Sequence, residues 1–431
     1  MGSVVGLPLI LKDDGTAKGL TQILLTYTLS AVASLLGIAT LWLSCGTLAR
    51  DIEECQLQVV TVKPIGRWQI WLGKWLGILG LNAMLLVLAG TAIFISLKWR
   101  ASHLSPDEQR ILQNEIFVAR ASIKDRPPDL TPEIDRLVQQ QNKKLHPSSE
   151  QEEAEIRKQA AAEVMAVNTD VPPGYRRFWV VDLHTLPEQT RDEPFRLRVK
   201  FHSSNPNPEA TYNTYWTIGA PTSAQRPTLY QSLPPDSFQE FDIPAHHLDD
   251  KGRLTVDFFN DNDSSLMFPF EDGFELLYYE NTFGVNFVRG IAIIFCWLAL
   301  LSAIGLAAAS QLSFPVAAFA SMAVLIMGLC SGTIQIVVDQ GTIAGWDSSG
   351  SHYGHSPVDF VIVPIFRGAL NLIKLVESFS PVDFLSTGRS ITWPMLGLAV
   401  AQIVLLLGGF FCLMGIVLFS RRELATAQGT N

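Results

Sequence analysis

The chain has 431 residues, 48% of them hydrophobic and 17% charged, and its mean hydropathy is +0.22. That balance is too apolar for an ordinary soluble protein and too charged for one lying wholly in a bilayer, so a mixed membrane and soluble architecture is expected. A formal net charge of -9 with scattered Lys and Arg leaves no basic face to neutralise phosphates, which sets nucleic acid aside as a partner.

Residues 1–19 are interrupted by polar groups and read as an exposed lead-in. Residues 20–97 contain two apolar runs, Leu20 to Cys45 and Ile70 to Leu97, each long enough for the roughly 20 residues that a spanning helix needs. Between them lies a charged, Trp-rich elbow, Arg50 to Trp75. Segment 98–174 reads as helical: Ser105-Pro106-Asp107-Glu108 has the order of a capping box with Pro at the first helical position, and Ser149 with Glu152 repeats it. Segment 175–284 turns to short alternating strands, at Phe178 to Leu183, Phe195 to Phe201, Tyr212 to Ile218, Leu254 to Asn260 and Phe274 to Tyr279. Their aromatic and β-branched content predicts an antiparallel β-sandwich.

Segment 285–338 reads as a transmembrane hairpin, with spans at Asn286 to Ala309 and Phe314 to Val338. Segment 339–392 holds a loop and an amphipathic stretch, Val358 to Phe379, that carries Arg367, Asn371, Lys374 and Ser378 on one side and reads as a re-entrant or interfacial helix. Segment 393–431 supplies a last span, Trp393 to Phe419, and a tail opening with Arg421 and Arg422. The expected fold class is therefore a polytopic α-helical membrane protein of five spans plus that interfacial helix, with an α+β extracytoplasmic insertion.

Positive charge near span ends marks the cytoplasmic side. Arg50, Lys63, Arg67 and Lys74 in the elbow and Arg421 and Arg422 in the tail then lie inside, which sends 98–284 outside. Were Val358 to Phe379 to cross as well, the tail arginines would face outward. Trp68, Trp71, Lys74, Trp75 and Trp99 are expected to anchor the second span at the two membrane surfaces, against the lipids.

On a helical wheel Ile52, Cys55, Val59 and Val62 share one side of the elbow, with Glu54, Gln58 and Thr61 opposite, and the helix should stop before Lys63-Pro64. From the residues alone, this fits a plain connector as well as a docking element, and Val59 to Val62 also suits a strand. The stretch RDIEECQLQVVTVKPIGRWQIWLGKWLG, however, resembles the intracellular segment of ABC exporter permeases of the type-2 class, in which an acidic amphipathic coupling helix, a Lys-Pro turn and an Arg-Trp start to the next span recur together. The resemblance implies that Arg50, Asp51, Glu53, Glu54, Gln58, Lys63, Pro64 and Arg67 dock an ABC-type ATPase subunit, that two permease chains pair in each complex, and that the complex sits in a prokaryotic plasma membrane. Such permeases have six spans, and residues 4 to 14 resemble the end of a further helix and the loop after it.

No phosphate-binding loop, HExxH or GxSxG occurs in context, so no catalytic motif or cofactor is expected and ATP hydrolysis falls to the partner. The five cysteines lie in or beside the apolar runs and read as apolar helix residues. His246-His247, His352 with His355, and the acidic run from Asp257 to Asp263 are read as solvated loops or turns. A second function from another class is a membrane-anchored extracytoplasmic binding or scaffold protein. Its sandwich would bind a glycan or a protein, with Trp179, Tyr212, Tyr215 and Trp216 as stacking candidates, although alternating aromatics also build cores.

Overall fold

The computed structural model describes residues 16–57, 65–125, 128–184, 186, 195–204, 211–219, 226–243, 249, 252–343 and 358–422, apart from 146–149. The chain divides into two compact units, a helical one from Met1–Ala119 with Asn281–Asn431 and a second from Arg120–Glu280.

Among the described residues of the helical unit four helices are long and apolar enough to cross a membrane: α1 (Ala17–Glu53), α2 (Arg67–Ala101), α6 (Phe283–Ala309) and α11 (Trp393–Arg421). A fifth is formed if α7 (Phe314–Leu329) and α8 (Ser331–Gln340), which meet at 68°, count as one. The first departure from the sequence pattern is α1, which runs on past the apolar stretch to Glu53 and absorbs the first half of the expected elbow helix. The second is the break at Cys330, where a single span was expected. Gly328 and Gly332 flank it, with no neighbouring atom within 4 Å of where a Cβ would stand, so neither propensity nor packing holds the helix straight.

α9 (Asp359–Glu377) is amphipathic as expected and is not among the membrane-length helices: it buries Val363 and Leu370 while Arg367, Asn371 and Lys374 stay exposed. α3 (Pro106–Glu115) carries the capping box read from sequence, with the Ser105 backbone N–H and hydroxyl donating to Glu108 at 3.0 and 2.6 Å.

The helical unit is built around α6. Its buried residues occur on all sides, among them Phe287, Ile293, Leu298, Ala303 and Leu306, as expected of a helix walled in by others. α1 crosses it closely because small residues face each other there. A Cβ added at Gly305 would meet Ser44 Oγ at 1.9 Å, and the Cys45 thiol lies 3.6 Å from the Gly305 carbonyl. Opposite the elbow, the loop before α11 is pinned by α6: the Asn286 amide donates to the Arg389 carbonyl at 2.7 Å and accepts from the Ile391 N–H at 2.7 Å. Arg289 donates to the Ile391 carbonyl at 2.8 Å and stacks on Trp393 at 4.5 Å.

The second unit is an antiparallel sandwich. One sheet has the order β1-β11-β4-β8 and the other β3-β9-β6-β7, with three short strands β2-β10-β5 beside them. In chain order these are β1 (Val118–Ile123), β2 (Asp170–Val171), β3 (Arg176–Asp182), β4 (Phe195–Val199), β5 (His202–Ser203), β6 (Tyr212–Ile218), β7 (Thr228–Leu233), β8 (Gln239–Ile243), β9 (Arg253–Asn260), β10 (Leu266–Met267) and β11 (Phe274–Thr282). The five expected strands are present, but β1 lies in the stretch read as helical. Two helices of that stretch, α4 (Thr131–Leu145) and α5 (Glu150–Thr169), pack as a hairpin bridged by Arg157 to Asp135 at 2.9 Å.

The core between the sheets holds Trp179, Trp216, Phe258, Phe268 and Leu276. Trp179, Tyr212 and Trp216 are thus core residues and not exposed stacking groups, because they occupy the inward positions of the strand alternation. Only Tyr215 of that set faces outward. Asn260 and Asn262 lock the acidic run as a turn, donating to the Ser264 and Asn213 carbonyls at 2.9 and 2.8 Å.

The close crossing of α1 and α6 is testable. Gly305→Ala is expected to destabilise the detergent-solubilised protein by about 1–3 kcal/mol, because the helices must separate. Gly90→Ala, whose added Cβ would stand 3.4 Å from Ile291, should be near neutral in the same thermal unfolding assay.

Candidate functional site

The elbow begins inside α1. Arg50, Asp51, Ile52 and Glu53 form its last turn, Glu54 is the C-cap, and Cys55 takes a left-handed φ of 60° that ends the helix. Gln56 and Leu57 are helical again and Leu57 is buried at 2% exposure, leaving Glu54, Cys55 and Gln56 as an exposed tip beside the equally exposed Glu53. Gln58, Lys63 and Pro64, with the expected helix end before Lys63-Pro64, lie outside the described residues. The chain returns at Ile65, and α2 starts at Arg67 behind Gly66, whose N–H donates to the Gln69 side chain at 3.0 Å.

Five helix ends meet here, counting the start of α2, and those of α6, α7 and α11 are closed by side chains from other elements. Lys74 of α2 donates to Asp51 at 2.5 Å and to the Thr47 carbonyl at 2.8 Å, at the α1 C-terminus where cations are favoured. Glu53 accepts the Phe314 N–H at 2.9 Å, satisfying one of the unpaired donors that open α7, and Arg50 lies 4.5 Å over the Phe314 ring. Arg67 donates to the carbonyls of Phe419, Ser420 and Arg422 at 3.2, 2.8 and 2.8 Å, closing α11. Arg422 donates to the Ala309 and Ser310 carbonyls at 3.4 and 3.1 Å, closing α6, and Gln311 donates to Leu418 at 2.8 Å.

The expected site residues therefore divide. Arg50, Asp51, Glu53 and Arg67 contact neighbouring elements, with Arg50 and Glu53 still exposed, whereas the exposed Glu54 accepts from Gln56 of the same tip at 2.7 Å. The expected anchors divide too. Trp68 and Trp99 are exposed, at 52% and 66%. Trp71 is not an anchor: it is fully buried, donates to the Ser310 hydroxyl at 3.3 Å and packs against Gly415. Trp75 is partly buried and donates to the Ala299 carbonyl at 3.2 Å.

Missed from sequence were Ser310, Gln311, Phe314 and Arg422. Arg422 was visible only as a charge that orients the tail. The signal for its second role is its place one residue past a helix end, where a guanidinium can serve a neighbour's carbonyls.

An apolar recess of about 480 Å³ lies among α7, α8 and α9, lined by Phe319, Met322, Ile326, Val337 and Phe366, and its chemistry suits hydrocarbon. Among the described residues no group of His, Cys, Asp and Glu is arranged to hold a metal ion. His246, His247, His352 and His355 lie outside the described residues. Comparison with protein-family models, with curated proteins and with solved structures returned no match.

The contact between Lys74 and Asp51 is partly buried, so breaking one side should cost more than removing both. Asp51→Ala is expected to lower stability by about 1–3 kcal/mol. Asp51→Ala combined with Lys74→Met should recover part of that loss in a double-mutant cycle read by thermal unfolding.

Proposed function

We propose that the chain is the transmembrane permease subunit of an ATP-driven, ABC-type exporter, working with a separate ATPase subunit and a second permease chain. The observation that carries this reading is the network at the elbow. A small exposed tip, Glu54 to Gln56, hangs from a turn whose neighbours Asp51 and Glu53 are bonded to α2 and α7, while Arg67 is bonded to α11. Force applied at the tip would reach four helices within one side-chain length.

The topology expected from charge has support as well. Arg50, Arg67, Lys74 and Arg422 gather at one end of the helical unit with the 310–313 turn, as the positive-inside rule requires if that end faces the cytoplasm of a prokaryotic cell. With the bent α7–α8 pair as one span and α9 lying at the membrane surface, five crossings put both this end and the tail inside, and the 120–280 unit outside. No nucleotide-binding motif lies in the chain, so hydrolysis belongs to the partner and this chain is no enzyme by itself. The apolar recess favours a lipid-like or amphiphilic cargo over a small ion, and mechanical signalling to the outer unit would use the same network.

A second reading, a membrane-anchored binding or scaffold protein, draws on the self-contained core of the 120–280 unit.

The two roles of adjacent acids give the test. The full chain is affinity-purified from its native membrane and assayed for a bound phosphate-loop ATPase and for ATP turnover. Glu54→Lys should abolish association or lower turnover at least about ten-fold, the effect of losing roughly 1.4 kcal/mol, with unfolding temperature unchanged. Glu53→Gln should instead lower the unfolding temperature, since it weakens the closure of α7. An intact complex with unaltered turnover in Glu54→Lys would sink the coupling role and leave the anchored binder.

A further inference from the structure

The outward face of the β3-β9-β6-β7 sheet carries a pattern that neither the core nor the elbow explains. Strand alternation sends Arg176, Phe178 and Val180 of β3, Thr255, Asp257 and Phe259 of β9, Asn213, Tyr215 and Thr217 of β6, and Thr228, Tyr230 and Ser232 of β7 to that side. Directly opposed residues share a face, so the register writes rows across all four strands. One row reads Arg176, Phe259, Tyr215, Tyr230, and the next reads Phe178, Asp257, Thr217, Thr228.

In the first row the Arg176 guanidinium lies 5.2 Å from the Phe259 ring, Phe259 lies 6.4 Å from Tyr215, and Tyr215 lies 5.0 Å from Tyr230. Adjacent rings are tilted by 53° and 52°. Phe178 and Tyr230 are 55% and 54% exposed. With strands about 4.8 Å apart, the row is about 14 Å long.

We propose that this face binds a neutral glycan chain, with Phe178, Phe259, Tyr215 and Tyr230 as stacking rings. A pyranose offers an apolar C–H face and a rim of hydroxyls, and the sheet offers the complement of both. Its rings are interleaved with Asn213, Thr217, Thr228 and Ser232, and Val180 is the one aliphatic among the outward positions named. Ser and Thr are under-represented at the centre of protein-binding patches, whereas here hydroxyls stand between the rings, and a surface for anionic lipid would carry unpaired cations. Here Arg176 and Arg226 both pair with Asp257, at 3.0 and 3.8 Å, and Arg253 of β9 pairs with Asp249 at 3.0 Å and stands opposite Asp182 of β3, so each cation has an acidic partner. That balance favours an uncharged ligand.

A second observation points to a ligand independently of the rings. Asp257 is 2% exposed, and although Oδ2 takes Arg176 and lies 3.8 Å from Arg226, its Oδ1 has no hydrogen-bond partner among the described residues. A buried carboxylate oxygen left without a donor is costly, and a sugar hydroxyl entering between Phe178 and Thr217 would supply one. The tilt between successive rings further selects a twisted single chain over the flat surface of a crystalline polysaccharide.

The proposal concerns the 120–280 unit alone and holds whether the helical unit couples to an ATPase or only anchors. It is tested on the full chain in nanodiscs, with no ATPase present, so its outcome is separate from that of the coupling role. Isothermal titration uses hexaoses of β-1,4-glucose, α-1,4-glucose, β-1,4-mannose and β-1,4-N-acetylglucosamine, with polygalacturonate as an acidic control. At least one neutral hexaose is expected to bind. Tyr215→Ala and Tyr230→Ala should each weaken it about five- to ten-fold, the worth of one stacked ring. Tyr215→Phe, which keeps the ring, should restore most of the affinity, and all variants should unfold at the wild-type temperature. Binding of none of the neutral hexaoses, binding of polygalacturonate alone, or neutral-glycan affinity unchanged in the Tyr215→Ala/Tyr230→Ala double variant would overturn the proposal.

Discussion

The ends of helices in an apolar bundle set the terms for the rest of the helical unit. Each end leaves several N–H or C=O groups unpaired. Here part of the deficit is met in trans. Glu53 serves the start of α7, Arg67 the end of α11 and Arg422 the end of α6, while Lys74 ties the last two turns of α1 to α2. Because each donor or acceptor sits on a different element from the end it closes, no helix can shift along its axis without unpairing a charged side chain. Charge-assisted bonds of this kind are the stronger ones, and at Lys74, Arg67 and Arg422 their loss leaves a half-buried charge. The end of the bundle is thereby tied together, while the opposite end is tied by Asn286 and Arg289 holding the loop before α11.

The same accounting explains the sandwich. Its inward positions are aromatic and aliphatic, and one outer face carries a cross-strand ladder: Glu275 stands opposite Arg198, and Arg198 opposite Glu240. Arg120 pairs with Glu240 at 3.1 Å and Lys124 with Glu275 at 3.0 Å, extending the ladder to β1. Opposite charges directly across an antiparallel pair add modestly to each pairing, and like charges would oppose it, so the ladder helps to fix the register of four strands. The other sheet carries rings and hydroxyls in the corresponding rows, and its registers are fixed mainly from the core side by Trp216, Val256 and Phe258.

Much of this was legible in the residues. Spans follow from apolar runs, strands from period-two alternation, and α3 from its capping box, because each is a local pattern with a local cause. What was not legible was tertiary. α1 runs through the first part of the expected elbow helix to Glu53, where Asp51 and Glu53 bond to Lys74 and Phe314; Gln56 and Leu57 are helical again, and the stretch that follows lies outside the described residues. Trp71 looked like a headgroup anchor by composition, but Gly415 on a helix more than three hundred residues later makes the space that buries it. β1 was hidden because VARASI alternates weakly and its partner β11 lies far along the chain. For the candidate site, the charged cluster was visible but not its division into an internal network and an exposed tip, because that depends on the ends of α6, α7 and α11.

The connection between the units follows from strand order. The chain leaves the helical unit after α3 through β1 and returns through β11 to α6, and β1 and β11 are neighbours in one sheet. An insertion whose incoming and outgoing strands are adjacent imposes little demand on the separation of the elements that flank it. The helical unit can then keep the packing of α2 and α6 around Gly90 and Phe287 whatever is built between them.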